Sequence, residues 1–228
     1  MTTLVEVHWI HLDDAPTADI GRWRDMLGGD EVARAERFAF DRDRRRFVVR
    51  HGWLRELLAR RLAASPAAIR FTYNPFGKPS LDGESLRFNL SHSAGKALCV
   101  IGEGIELGCD LEQRDRALAS RELAERFFTP LEQKRLSSLR GKGWVEGFFN
   151  CWTRKEAYIK ARGLGLSYPL DAFDVSLAPD EPALLLRGCN GWSVQALRPA
   201  PGFTAAVVAE GADWALSTQC GLASASLA

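Results

Sequence analysis

Lysine is scarce in this chain: six residues, Lys78, Lys96, Lys134, Lys142, Lys155 and Lys160, while every other cationic side chain is arginine. Neither sign of charge is in excess, the formal net charge being +1. The chain therefore lacks the basic footprint of a nucleic-acid binder, and no nucleic-acid partner is expected. Five cysteines, an odd number, include no Cys-x-x-Cys pair. This argues against a disulfide framework or a structural zinc site and for a reducing cytoplasm. The N-terminus mixes acids with apolar residues and has no long apolar run, so neither a signal peptide nor a membrane span is expected. Three motifs are missing as well. There is no Gly-x-x-x-x-Gly-Lys loop, no Gly-x-Gly-x-x-Gly fingerprint and no Gly-x-Ser-x-Gly elbow, which leaves P-loop, Rossmann and serine-hydrolase readings without support.

What is present is ordinary globular material, 46% hydrophobic and 26% charged over 228 residues, enough for one large domain or two small halves. Residues 4–10 alternate as a strand. Residues 41–62 read as a long helix, because Phe47, His51, Leu54, Leu58 and Leu62 recur at helical spacing. Its other faces carry Arg42, Arg44, Arg45, Arg46, Arg50, Arg55, Arg60 and Arg61, either a solvated face or an anion-binding one. Asn74-Pro-Phe-Gly-Lys-Pro79 is a turn-rich loop. Strands are expected over 86–90, 97–101 and 105–112, then a short helix capped by Ser120 and a capping box at Thr129-Pro-Leu-Glu132. A helix over 148–162 stops at Gly163 and Gly165. Residues 184–197 and 203–209 return to strand, and 217–228 are small and polar, a loose tail. The helix, loop and hairpin near 41–112 are loosely echoed near 120–210. The expected fold is α+β in two lobes, 1–105 and 106–215, with a tail over 216–228.

Two segments carry the chemistry. Along 105–112, alternation sends Ile105, Leu107, Cys109 and Leu111 to one face, into a core, and Glu106, Gly108, Asp110 and Glu112 to the other. Asp110 and Glu112 are thus close neighbours. They are either solvated acids on a strand edge or a pair that shares a cation, and hard oxygen ligands suit Mg²⁺. Gly108 on the same face leaves room for something bulky. In the helix, Trp152, Lys155, Glu156, Ile159, Lys160 and Gly163 share one face at about 100° per residue. A surface Glu156–Lys160 pair accounts for two of them; a helix lying over a phosphate-bearing cleft accounts for all six. In Asn89-Leu-Ser-His92, adjacent Ser91 and His92 make a poor catalytic pair, and His92 reads better as a phosphate ligand.

Together these segments resemble the 4′-phosphopantetheinyl transferase superfamily: Phe76-Gly-Lys-Pro79, Asn89-Leu-Ser-His92, Gly108-Cys-Asp-Leu-Glu112 and Trp152-x-x-Lys-Glu-x-x-x-Lys-x-x-Gly163, in the family's order and at its intervals. The length is similar to that of the Sfp-like subgroup. The resemblance implies a monomer of two similar lobes related by pseudo-twofold symmetry, with one active site between them. It also implies a holo-[carrier protein] synthase, moving the phosphopantetheine arm of coenzyme A to a serine of an apo carrier protein and releasing 3′,5′-ADP. Asp110, Glu112 and Glu156 would hold Mg²⁺. Lys155 and Lys160 would lie over the diphosphate, and Ser91 and His92 would bind phosphate oxygens. Gly77, Lys78 and Pro79 would line the adenosine end, and Arg34 and Arg46 would take the 3′-phosphate. One further position that is basic in the family is Glu31 here. Glu132 matches a family acid and also fits a helix cap. Asp110, Glu156 and Lys160 form the catalytic set, with Glu156 or a metal-bound water as the base. The carrier is expected to be acidic and steered by the arginines of 42–50 and by Arg114, Arg116 and Arg121. A Mg²⁺-dependent phosphohydrolase using the same acids is the alternative.

Overall fold

The first alternating segment forms strand β1 (Thr3–His11), which is followed by helices α1 (Thr17–Asp25), α2 (Gly29–Glu36) and α3 (Asp41–Leu62). In this computed structural model, which describes residues 2–219 without the side chains of Leu166, Thr218 and Gln219, a small hairpin of β2 (Phe71–Tyr73) and β3 (Pro79–Leu81) comes next. Strands β4 (Leu86–Ser93), β5 (Lys96–Glu103) and β6 (Leu107–Gln113) lead into helices α4 (Arg121–Phe127), α5 (Pro130–Ser138) and α6 (Gly141–Arg162). The last elements are β7 (Trp192–Leu197), β8 (Phe203–Glu210) and β9 (Trp214–Gln219).

The strands make two main sheets, ordered β4-β5-β1-β9 and β6-β8-β7. Their inner faces pack on each other through Val5, Val7, Leu98 and Val100 on one side and Leu107, Cys109, Leu111 and Val207 on the other. Helix α3 covers the outer face of the first sheet, where Phe47, Trp53 and Leu58 meet Phe88, Cys99 and Ile101. Helix α6 covers the second, where Tyr158 and Ile159 meet Val194, Ala206 and Val208. The result is a layered α+β molecule, helix, sheet, sheet and helix, with one long helix in each lobe. β5 and β8 are buried on both faces, which is why each reads as an unbroken apolar run rather than an alternation.

Several boundaries move. Helix α6 starts at Gly141, seven residues before the expected Phe148, because Trp144, Phe148 and Trp152 stack at helical spacing (centroids 5.8 and 6.3 Å apart) and this packing overrides the poor propensity of Gly141 and Gly143. The expected strand over 184–197 is regular only from Trp192; Gly188 and Gly191, at φ 79° and 82°, bend the chain before it. The lobe division also changes. β9 crosses back and pairs parallel with β1, Val5 opposite Leu216, so 214–219 belong to the first lobe's sheet. The tail expected over 216–228 is strand as far as Gln219, and 220–228 lie outside the described residues. Cys99, Cys109, Cys151 and Cys189 are buried with free thiols. No helix among the described residues is long and apolar enough to cross a membrane.

Candidate active site

Strand β6 and helix α6 approach to backbone contact. A Cβ on Gly108 would lie 2.2 Å from the Ala161 nitrogen and 2.4 Å from the Ala157 oxygen. The bulky neighbour that Gly108 admits is therefore α6 itself. The close approach sets Lys160 Nζ 2.5 Å from Asp110 Oδ1, with Ser91 Oγ donating to the same oxygen at 3.0 Å. Asp110 is only 2% exposed, and its Oδ2 is buried without a hydrogen-bond partner.

The other two acids respond to Asp110. Burial and then the charge of Asp110 push Glu112 above the usual carboxylate range, while Ser93 and Trp152 pull it back. Burial, then repulsion from Asp110 and Glu112 against the pull of Lys160, raises Glu156 to about 7. Three carboxylates crowd one lysine. Among the described residues no three acidic, histidine or cysteine side chains stand ready-gathered around one point. The donor set nonetheless fits a hard divalent cation on two counts: a buried carboxylate oxygen with nothing bound to it, and acids that repel one another as they stand.

A second cluster is cationic. Arg34, Arg50 and His51 surround the ring of Phe47; His51 stacks on it at 4.0 Å, with the two guanidinium carbons 5.6 and 5.5 Å from its centroid. Arg50 is buried, and burial followed by the charge of Arg34 lowers it to about 10. His92 is lowered to about 4 by desolvation, then by Arg50, Lys160, His51 and Arg34. Arg34, Arg50 and His92 have no acidic partner among the described residues. Two guanidinium groups with no acid, beside imidazoles kept neutral, can hydrogen-bond a multiply charged anion. Arg50 and His51 were legible as helix-face and stripe residues but not as site residues. The available signal was their position one turn beyond Arg46, beside Phe47 on the face turned inward.

The structure redirects several expected residues. Lys155 does not lie over a diphosphate. It sits about 100° around the helix from Glu156, fully buried, with Nζ 2.9 Å from Glu132 and 2.6 Å from the carbonyls of both Leu170 and Phe173. A face drawn wide enough to hold both Lys155 and Lys160 spans about 140°, too much for one cleft. Glu132 both caps α5, accepting from Thr129 N at 2.9 Å, and accepts from Val175 N at 2.8 Å. Arg46 does not join the cation cluster; it forks onto Asp13 at 2.7 and 2.6 Å. Glu31 turns inward and accepts from Arg55 at 2.7 Å, with His51 Nδ1 2.9 Å from its other oxygen. Lys78 donates to Glu106, Leu107 O and Ala161 O at 2.9, 3.2 and 2.7 Å. With Asn74 bonded to Gly163 O at 2.6 Å, it latches the Gly77–Pro79 loop onto the end of α6. Arg114 is paired with Glu146 at 3.0 Å. Arg116 and Arg121, with Lys134, Arg140, Leu136 and Trp144, line a groove of about 980 Å³ between α4, α5 and the start of α6.

Comparison with known proteins gives the family. Residues 106–208 match the model of the 4′-phosphopantetheinyl transferase superfamily, and residues 17–103 match 4′-phosphopantetheinyl transferase, N-terminal. The chain is 39% identical over 214 residues to 4′-phosphopantetheinyl transferase HetI of Nostoc sp., covering 92% of this chain and 90% of that one. It is 30% identical over 160 residues to 4′-phosphopantetheinyl transferase Sfp of Bacillus subtilis, covering 70% of each. A putative 4′-phosphopantetheinyl transferase of Synechocystis sp. is 37% identical over 76% of this chain and 69% of its own length. With two lobes, an acidic trio on one seam and a cation cluster beside it, the chain belongs to the 4′-phosphopantetheinyl transferase superfamily.

Proposed function

We infer that this chain transfers the 4′-phosphopantetheine arm of coenzyme A to a serine of an apo carrier protein and releases 3′,5′-ADP. The observation that carries the reading is the juxtaposition of Asp110, whose Oδ2 is buried and unpartnered, with the cluster of Arg34, Arg50, His51 and His92. Coenzyme A has the matching chemistry, a diphosphate to share a cation with carboxylates and a further phosphate for the arginines. Asp110, Glu112 and Glu156 would hold Mg²⁺, which would supply positive charge to the diphosphate. His92 and Lys160 bind phosphate oxygens. Glu156, held near neutrality, is our candidate for taking the proton of the attacking serine. One chain supplies both lobes, so the site needs no second copy.

The carrier surface we assign is the groove of Arg116, Arg121, Lys134 and Arg140, whose charge suits an acidic carrier. Its Trp144 begins the stack that runs through Phe148 to Trp152, beside Glu112.

The test is incubation with coenzyme A, Mg²⁺ and a panel of apo carriers, read by mass. Transfer adds one phosphopantetheine to the carrier. A phosphohydrolase consumes coenzyme A and leaves the carrier's mass unchanged. Asp110→Ala loses transfer by about 10³-fold or more while the circular dichroism spectrum persists. Full activity in that variant would refute the assignment.

A further inference from the structure

Strands β4 and β6 belong to different sheets and share no backbone ladder, yet side chains join them in strict register. Cys109 N donates to Asn89 Oδ1 at 2.9 Å, Leu111 N to Ser91 Oγ at 3.2 Å and Gln113 N to Ser93 Oγ at 3.1 Å. Each pair is separated by 20 residues. The side chains of one lobe thus satisfy the edge N–H groups of the other lobe's sheet, which need a partner wherever they are covered.

Two of the three acceptors are hydroxyls, and a hydroxyl that accepts one bond still has a proton to direct. Ser91 directs its proton to Asp110 Oδ1 at 3.0 Å, and Ser93 directs its own to Glu112 Oε2 at 2.8 Å. Each serine therefore grips the strand at two consecutive residues, by the carboxylate of one and the N–H of the next. At Asp110 the outcome is explicit: Ser91 and Lys160 both engage Oδ1, and Oδ2 is left open.

We propose that Ser93 is a positioning residue for Glu112, working with Ser91 on Asp110. Through these hydroxyls the N-terminal lobe's strand β4 orients the two acids carried by β6, so that cation affinity depends on the closed seam between the lobes. The inference rests on the reading of those acids as a divalent-cation site.

The experiment measures Mn²⁺ binding to the whole protein, without coenzyme A, by the electron paramagnetic resonance signal of the free ion. Melting midpoints in EDTA and the Mg²⁺ dependence of transfer are recorded alongside. Partners that orient metal ligands are worth roughly 10- to 100-fold in affinity. Ser93→Ala is expected to weaken Mn²⁺ binding by that factor and to raise the Mg²⁺ concentration for half-maximal transfer, with kcat at saturating Mg²⁺ kept within about threefold. Ser93→Thr, which keeps the hydroxyl, restores binding. Ser93→Cys, close in size but a weak donor, follows Ala and serves if the Ala variant does not fold. Equal Mn²⁺ affinity in Ser93→Ala and wild type overturns the proposal, as does a Thr variant no better than Ala. Wild-type protein that binds no Mn²⁺ fails differently: it removes the cation site itself, and this inference with it.

Discussion

Helices α3 and α6 are both 22 residues long, and each covers the outer face of one sheet, yet they bring opposite chemistry to the seam. α3 presents Arg50 beside Arg34, two guanidinium groups with no acidic partner among the described residues. α6 presents Glu156 to Asp110 and Glu112, acids in excess of the single Lys160. Each helix is seated through a glycine: Gly52 lets Trp23 against α3, where a Cβ would lie 2.2 Å from that of Trp23, and Gly108 lets α6 against β6. Each also carries a buried ion pair away from the cleft, Arg55–Glu31 on α3 and Lys155–Glu132 on α6. Like-built helices therefore divide their charges by position. Pairs inside the lobes are closed and structural. Arg34 and Arg50 on one side, and the crowded acids on the other, are left at the seam, where an anion and a cation can each complete them.

This division can be broken from its strongest point downward. Lys155→Met removes the partner of a fully buried Glu132 and is expected to cost about 3–5 kcal/mol, read as a lowered urea midpoint. If coenzyme A affinity changed and stability did not, Lys155 would belong to the cleft after all. Gly108→Ala drives a methyl into the backbone of α6 and should cost about 3 kcal/mol. It should also weaken transfer more than an equally destabilising core change such as Leu58→Ala. Arg50→Ala is expected to raise the KM for coenzyme A roughly 10- to 100-fold, the value of a charged hydrogen bond, and to spare Mn²⁺ affinity. Arg46→Ala, losing only its Asp13 partner, should change that KM by less than about threefold. Equal effects from the two arginines would erase the distinction between paired and surplus charge.

The smallest effect concerns pH. Glu156 has an ordinary value of 4.5 and is raised to about 7. Below about pH 4.5 it is protonated folded and unfolded, and costs nothing. Above about pH 7 it is ionised in both, and the native state bears the full penalty. Stability of the metal-free protein therefore falls as pH rises through that window. Glu156→Gln should raise the metal-free unfolding free energy at pH 8, read from urea midpoints, by about 1 kcal/mol after discounting for solvent, and leave it unchanged at pH 4.5. No gain at pH 8 would mean the acids do not repel as described.

How much of this was legible depended on range. The bounds of α3, the Ser120 cap and the Thr129–Glu132 box are local events of backbone and capping chemistry, and the residues themselves announce them. The alternation of 105–112 likewise put Leu107, Cys109 and Leu111 in the core and Asp110 and Glu112 together on the other face. Strand β9 left no such mark, because its pairing with β1 is made by main-chain groups that any sequence carries. Lys155 was misjudged for a related reason. A helical wheel tells which residues are adjacent, but only the neighbour across the gap, here Glu132, decides which way a long side chain turns.

The sequence by itself determined the kinds of groups available: four motifs in order, three acids, a sparse set of lysines and a helix rich in arginine. Those are chemical identities and short-range spacings, and they were sufficient to name the reaction family. Only the tertiary structure decided which charges cancel and which remain. Asp13 takes Arg46, Glu31 takes Arg55, Glu132 takes Lys155 and Glu106 takes Lys78, partners 23 to 33 residues away along the chain. Pairing is settled by folding in space, not by order along the chain.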